Sequence, residues 1–491
     1  MKGYIIKRVL KSFVSIFCVV SIVIAMVYTM IPREKVLAGD TGFRKLTGDT
    51  RTSYMYSKFD ELGYLKYERL NDMCTNESSD VEACMINGSD ENLRVISVYE
   101  NKGYVIDHQK NGNAFAYHEY NVLELVGHFW KNLLVIDGPN TIQDEANPNL
   151  ERKVYVGKDY NNVPAIMCSG CQHKYLVYFD SSFPFIHQNW LSLDFGISYP
   201  TKAGSKALDV ISEGQGGQVI VDVKFPSGDV SQSAFDLHTA KYKFNLDHLD
   251  ASKFGDDHYA DCSSIYESPS MINTSYIFGV VSLIIAYVIG IPAGISMARN
   301  KDKLIDKIGA AFINVVIAMP SLALIFFIRE LGSKVGMPDK FPMLGFGDIK
   351  SYIAPMVILA LLSMPSLMTW IRRYMIDQSN SDYVKFAKAK GLSKREIFTK
   401  HILKNAIIPI INGIPGSIIL CISGAFITES AFAIPGMGKM LPDSINKMNN
   451  NMIIALTFIF SALAIFSVLL GDLLMVVVDP RIQLAAKKGG E

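Results

Sequence analysis

The chain has 491 residues, 49% of them hydrophobic, and 48 Lys and Arg against 47 Asp and Glu, for a formal charge of +1. So balanced a charge excludes a strongly basic nucleic-acid binder, and the apolar share with a mean hydropathy of +0.20 suggests that part of the chain is solvated by lipid. The apolar residues are concentrated in the first 31 positions and from 271 to 478, whereas 32 to 270 reads as a polar, aromatic-containing soluble domain.

Ser12 to Ile31 is an uncharged run of twenty residues. At about 1.5 Å per residue it crosses a hydrocarbon core roughly 30 Å thick. A cleaved signal peptide is its rival reading, with Lys2, Lys7, Arg8 and Lys11 as the basic region and Val36-Leu37-Ala38 as the cleavage site; the apolar run is longer than such peptides use. Residues 32 to 270 follow as an expected α+β domain: KVYVGKDY, KYLVYF and GQVIVDVKF read as strands and 121 to 136 as an amphipathic helix. Five of the seven cysteines lie in this stretch. Cys74 and Cys84 make a plausible disulfide, and Cys168-Ser-Gly-Cys171 reads as a local disulfide, as free thiols, or with His173 as a fragment of a zinc site lacking a fourth ligand. No metal site is assigned.

Further spans are expected at 272 to 298, 308 to 328, 353 to 371, 406 to 428 and 452 to 478. Lys and Arg gather before Ser12, between 299 and 307, between 372 and 404, and after 480. Positive charge near a span favours the cytoplasmic side, so six spans put both termini inside and 32 to 270 outside. Gly290, Pro292, Gly294, Pro320, Pro365, Pro409, Gly413, Pro415 and Gly416 interrupt the spans. In lipid such residues mark either a polar pathway or close helix packing. Of the charged residues in or near spans, Arg329 and Glu330 are expected to snorkel and Asp472 to be structural.

The segment 382 to 411, DYVKFAKAKGLSKREIFTKHILKNAIIPII, reads as two short basic helices meeting at Gly391 on the cytoplasmic face. From its pattern alone, a surface resting on anionic lipid is an equal alternative. The run A-x-A-K-G-L-S with the following N-A-x-x-P, together with YIIKRVL at 4 to 10, DFGISY at 194 to 199, GIPAGI at 290 to 295, AMPS at 318 to 321, ESAFAIPGMG at 429 to 438 and GDLLMVVVDPRI at 471 to 482, resembles the oligopeptide/dipeptide branch of binding-protein-dependent ABC importer permeases. The first positions of the family's coupling loop depart from its usual Glu-Ala-Ala, being Lys385, Phe386 and Ala387, and 32 to about 189 and about 214 to 268 exceed the family's length.

The resemblance implies an all-α polytopic membrane domain of about six transmembrane helices, type I ABC importer-like, with a large inserted α+β extracytoplasmic domain. The expected organisation is 1–31 as terminus and first helix, 32–270 as the insertion, 271–482 as the permease core with coupling loop 375–405, and 483–491 as a cytoplasmic tail. Ala387, Ala389, Lys390, Gly391, Leu392 and Ser393 are the implied docking residues for an ATP-binding subunit. Pro320, Ser321, Pro365, Ser366, Glu429 and Ser430 are candidates for the translocation pathway. No G-x-x-x-x-G-K-[ST] phosphate loop occurs, so the chain is not expected to be an enzyme and no cofactor is expected in it. ATP and Mg would be bound by two partner ATPase subunits, beside a homologous second permease, an external substrate-binding lipoprotein and the lipid bilayer. The competing classes are a membrane receptor or sensor whose basic loop recruits a partner, and an intramembrane enzyme.

Overall fold

A computed structural model describes residues 2–180 and 185–478. The closing motif from Asp479 onward and the tail 483–491 lie outside the described residues. Two units divide the chain: Met1–Val23, Ser270–Asn446 and Ile453–Glu491 form one, and Ile24–Pro269 with Lys447–Met452 form the other.

The first unit is helical. Its elements are α1 (Lys2–Met30), α2 (Met271–Arg299), α3 (Leu304–Ala318), α4 (Ser321–Lys334), α5 (Lys350–Ser379), α6 (Asp382–Ala389), α7 (Ile408–Leu420), α8 (Phe426–Ala431), α9 (Met437–Asn446) and α10 (Asn450–Val478). Five stretches, Ile6–Met30, Met271–Arg299, Lys350–Ser379, Ile408–Ala431 and Asn450–Leu474, are long and apolar enough to cross a membrane. The sixth expected span, 308 to 328, is not one straight helix: α3 and α4 meet at 106°. Pro320 forces the break, because the residue before a proline is pushed out of the helical region, and Met319 is extended (ψ 127°). Pro292, Pro355 and Pro365, by contrast, sit inside continuous helices.

The seam of this unit is α2 against α5. Ser282, Ala286, Gly290, Gly294 and Met297 recur about one turn apart and are buried. A Cβ on Gly294 would stand 2.9 Å from Ile371 Cβ and 3.0 Å from the Met368 carbonyl oxygen. The two glycines of GIPAGI therefore let backbones approach, the close-packing reading of those residues. Asp306 at the start of α3, 4% exposed, receives both Nε (2.6 Å) and Nη2 (2.7 Å) of Arg372 from α5. Such a bidentate pair fixes orientation as well as charge. Arg329, expected at the end of a span, has Nη1 donating to the Ala431 carbonyl at 2.8 Å and its guanidinium over Phe326. Asp472 pairs with Arg8.

The second unit mixes helices and small antiparallel sheets. Strands β1 (Leu65–Arg69), β2 (Val105–His108) and β3 (Ala114–Glu119) pair in the order β1-β3-β2, with Tyr67 opposite Tyr117. Their core is aromatic: Phe59, Tyr64, Tyr67, Phe115 and Tyr199 cluster with Val36, Leu37 and Leu65. Strands β4 (Lys153–Lys158), β5 (Pro164–Ser169), β6 (Tyr175–Phe179) and β7 (Ile186–Gln188) form a four-stranded sheet in chain order. The expected helix 121 to 136 stops at Asn132, and Leu134–Ile136 pairs instead with Leu191–Leu193. Its start was well encoded, since Asn121 and Glu124 form a reciprocal capping box. GQVIVDVKF is likewise two strands, Gln215–Gln218 and Val221–Lys224, with different partners.

Disulfides join Cys74 to Cys84 and Cys168 to Cys171, so the C-x-x-C is a local disulfide and His173 instead bonds Asp137 (3.0 Å). Cys262 is left as a thiol. Burial pushes it up to about 12, which keeps it protonated and a poor attacker of either bridge.

Candidate functional site

Two features of the helical unit have the geometry of working parts. The first is a cavity of about 630 Å³ walled by α2, α5, α7 and α8. Its surface is mostly apolar, with Leu283, Leu359, Leu367, Ile410 and Leu420 in the lining. Small and hydroxylic residues are set into it: Ser275, Gly279 and Ser282 from α2, Ser363 and Ser366 from α5, Gly413 and Ser417 from α7; Tyr287, Trp370 and Tyr374 add aromatic edges. A Cβ on Gly279 would come within 2.6 Å of Cys421 Cβ, so this wall needs glycine to close. An apolar surface with scattered hydroxyls can hold a solute without committing to one charge.

Glu429 ends the cavity and is 3% exposed. Its Oε1 accepts from Ser275 Oγ (2.8 Å) and the Ala425 amide (3.1 Å), and its Oε2 accepts from the Lys439 amide (2.9 Å). Ser275 Oγ in turn accepts from the Met437 amide at 2.8 Å. Every partner of the carboxyl is a donor, the arrangement a buried carboxylate requires. Three glycines make room for it. A Cβ on Gly424 (φ +72°) would lie 2.3 Å from Glu429 Oε1, one on Gly436 2.5 Å from its Cδ, and one on Gly438 3.0 Å from its Oε2. The run ESAFAIPGMG is thus a loop wound around its own first residue, and Ser275, one hundred and fifty-four positions earlier, completes it.

Of the pathway candidates, Ser366 and Glu429 line this cavity. Pro320, Ser321, Pro365 and Ser430 are outside its lining; Pro365 is buried on the packed side of α5 and Ser430 is exposed elsewhere. Sequence reading passed over Ser275 and Trp370, which no motif marks.

The second feature is the hairpin after α5. Val384 (0% exposed) and Ala387 pack with Ile397 and Ile402 onto Ile371 and Met375 of α5, and Leu392 rests on the same cluster. Gly391 turns the chain in the left-handed region (φ +76°), where glycine costs nothing and other residues are strained. Ser393 and Glu396 close a capping box, with the Glu396 amide donating to Ser393 Oγ (3.3 Å) and the Ser393 amide to Glu396 Oε2 (3.3 Å). The proposed docking set is therefore divided: Ala387 and Leu392 fasten the hairpin to its own helix bundle, while Ala389, Lys390, Gly391 and Ser393 are exposed. Phe386, 69% exposed beside them, is the residue that sequence reading left out.

Residues 290–484 match the family described as the inner membrane component of binding-protein-dependent transport systems. An oligopeptide transport system permease protein, AmiC, of Streptococcus pneumoniae serotype 4 is 42% identical over 502 aligned positions that cover all of both chains. A dipeptide transport system permease protein, DppB, of Lactococcus lactis is 30% identical over half of this chain and 80% of its own. An oligopeptide transport system permease protein, AppB, of Bacillus subtilis is 32% identical over 42% of this chain and 67% of its own. The chain belongs to the oligopeptide/dipeptide permease family of binding-protein-dependent ABC importers, as a multi-pass membrane subunit.

Proposed function

We propose that the protein is the translocation subunit of an ATP-driven importer of oligopeptides. The observation that carries the substrate class is the full-length identity to an oligopeptide permease, which extends across the inserted domain. The chain hydrolyses no ATP itself. ATP and Mg belong to two ATP-binding subunits, a homologous permease completes the path, and an external substrate-binding lipoprotein delivers the peptide. Both termini and the hairpin 375–405 are cytoplasmic, and 32–270 is outside, in keeping with the lysines and arginines beside the spans.

The division of labour follows from the geometry. Closure of the ATPase pair pushes on the exposed rim of the hairpin, Ala389, Lys390, Gly391 and Ser393. Because Val384 and Ala387 are packed into α5, the push moves that helix as a body rather than bending a loop. α5 and α2 wall the cavity, so their displacement changes its access. The Ser366 and Glu429 positions border the path. The relatives lend no support to the receptor reading.

Co-purification tests this. With its partners co-expressed, the wild-type chain is expected to bring down both the second permease and the ATPase subunits. Gly391→Trp, whose Cβ would meet no neighbouring atom in this chain but which strains the turn, should lose the ATPases and keep the permease. Undiminished ATPase recovery in that variant would remove the hairpin from the docking role.

A further inference from the structure

A second cavity, about 680 Å³, lies between α1 and α10. On α1 it is bordered by Lys7, Arg8, Lys11, Ser12 and Ser15, which fall on one helical face; on α10 by Ala464, Ile465, Val468 and Leu469, likewise one face. The two faces differ in kind. One is cationic and hydroxylic at the end of a span, and the other is a wholly apolar wall.

The groove is open on its outer side. A ligand that matches both faces is amphipathic, anionic where the lysines are and apolar along α10. Arg8 pairs with Asp472, but Lys7 and Lys11 have no ion-pair partner among the described residues. Both are exposed, and the wall residue Val468 is 58% exposed. Peptide carboxylates are a poor match, since they would bring no matching apolar length. A free phosphate would leave the wall uncovered.

We infer that this groove is a binding site for an anionic phospholipid, with the phosphate headgroup held by Lys7 and Lys11 and hydrogen-bonded by Ser12 or Ser15, and an acyl chain laid along Ala464, Ile465 and Val468. Basic pockets between spans at the membrane surface take such headgroups. The site is separate from the transport cavity and from the ATPase hairpin, and it ties the first and last crossings of the chain together through a lipid.

Purified complex in mild detergent, incubated with phosphatidylglycerol or phosphatidylcholine and read by native mass spectrometry, tests the inference. Wild type should retain phosphatidylglycerol and little phosphatidylcholine. The double variant Lys7→Gln/Lys11→Gln should lower that retention about thirtyfold. Val468→Trp, which leaves every charge in place and fills the groove, should also displace the lipid. Lys303→Gln/Lys307→Gln, which removes two cations around the start of α3, should not. Equal retention in wild type, the double variant and Val468→Trp would overturn the site. So would equal loss in Lys303→Gln/Lys307→Gln, which would reduce the effect to general cationic attraction. A third overturning result is quantitative crosslinking of Ser15→Cys to the second permease with no phospholipid present, because a partner helix would then fill the groove.

Discussion

At the scale of single residues, Glu429 shows why one buried carboxylate organises ten positions of sequence. It joins α8, the first turn of α9 and the start of α2 by accepting from Ala425, Lys439 and Ser275. Removing the acceptor strands three donors in a buried site, each costing about 1–3 kcal/mol. Glu429→Ala is therefore expected to lower the stability of the purified complex by at least about 3 kcal/mol, read as a fall in thermal midpoint. Glu429→Gln keeps the shape but turns a donor toward donors, so it should lie between wild type and alanine. If alanine and wild type melted together, the carboxylate would not be what holds the loop. The motif was legible as a string because the family resemblance marks it; its partner Ser275 was not, since one serine in an apolar span carries no pattern.

Among elements, the hairpin after α5 combines a fixed face and a free one. Ala387 (4% exposed) and Phe386 (69%) are neighbours with opposite duties. A large apolar side chain held out beside Lys390 and Gly391 has no intramolecular reason to be there, and a central aromatic is what tends to dominate an interface. Phe386→Asp should weaken ATPase attachment by about 2 kcal/mol or more, seen as roughly thirtyfold weaker recovery at limiting subunit concentration, while leaving the melting of the permease alone unchanged. Tighter or equal recovery would place Phe386 outside the contact. Sequence marked the hairpin through its lysines and Gly391, but exposure of Phe386 depends on Ala387 packing against α5, which lies beyond local pattern. The spans were legible because some twenty apolar residues have few other fates. The kink between α3 and α4 was not, because proline stands in several spans and breaks only where Met319 turns extended. The end of the helix at Asn132 was missed for a related reason: Leu134–Ile136 gains more by pairing with Leu191–Leu193 than by continuing an amphipathic helix.

For the whole molecule, the inserted domain is completed from far along the chain. Lys447–Met452, the link between α9 and α10, belongs to the same unit as Ile24–Pro269. Three consecutive asparagines do the joining. Asn449, fully buried, donates to Ser198 Oγ and Thr201 Oγ1 at 2.8 Å each, Asn451 donates to the Ile197 carbonyl at 2.9 Å, and Asn450 donates to the Tyr64 hydroxyl. Gly196 (φ +78°) has no Cβ because one would stand 2.6 Å from Asn451 Nδ2. The unit is thus built from two distant stretches of chain; its aromatic core, with Tyr64 and Tyr199, has Met448 packed against it and Asn450 bonded to Tyr64. In the full chain, Asn449→Ala removes the donor to the Ser198 and Thr201 hydroxyl oxygens and the acceptor of the Tyr199 amide (3.4 Å), at a cost of about 2 kcal/mol. Hydrogen exchange at Ile197, Ser198 and Tyr199 should then speed up about thirtyfold, while the β4–β7 sheet keeps its protection because it shares none of these bonds. Unchanged exchange at 197 to 199 would mean that the insertion folds without its distant segment, and that the asparagines only decorate a domain already closed.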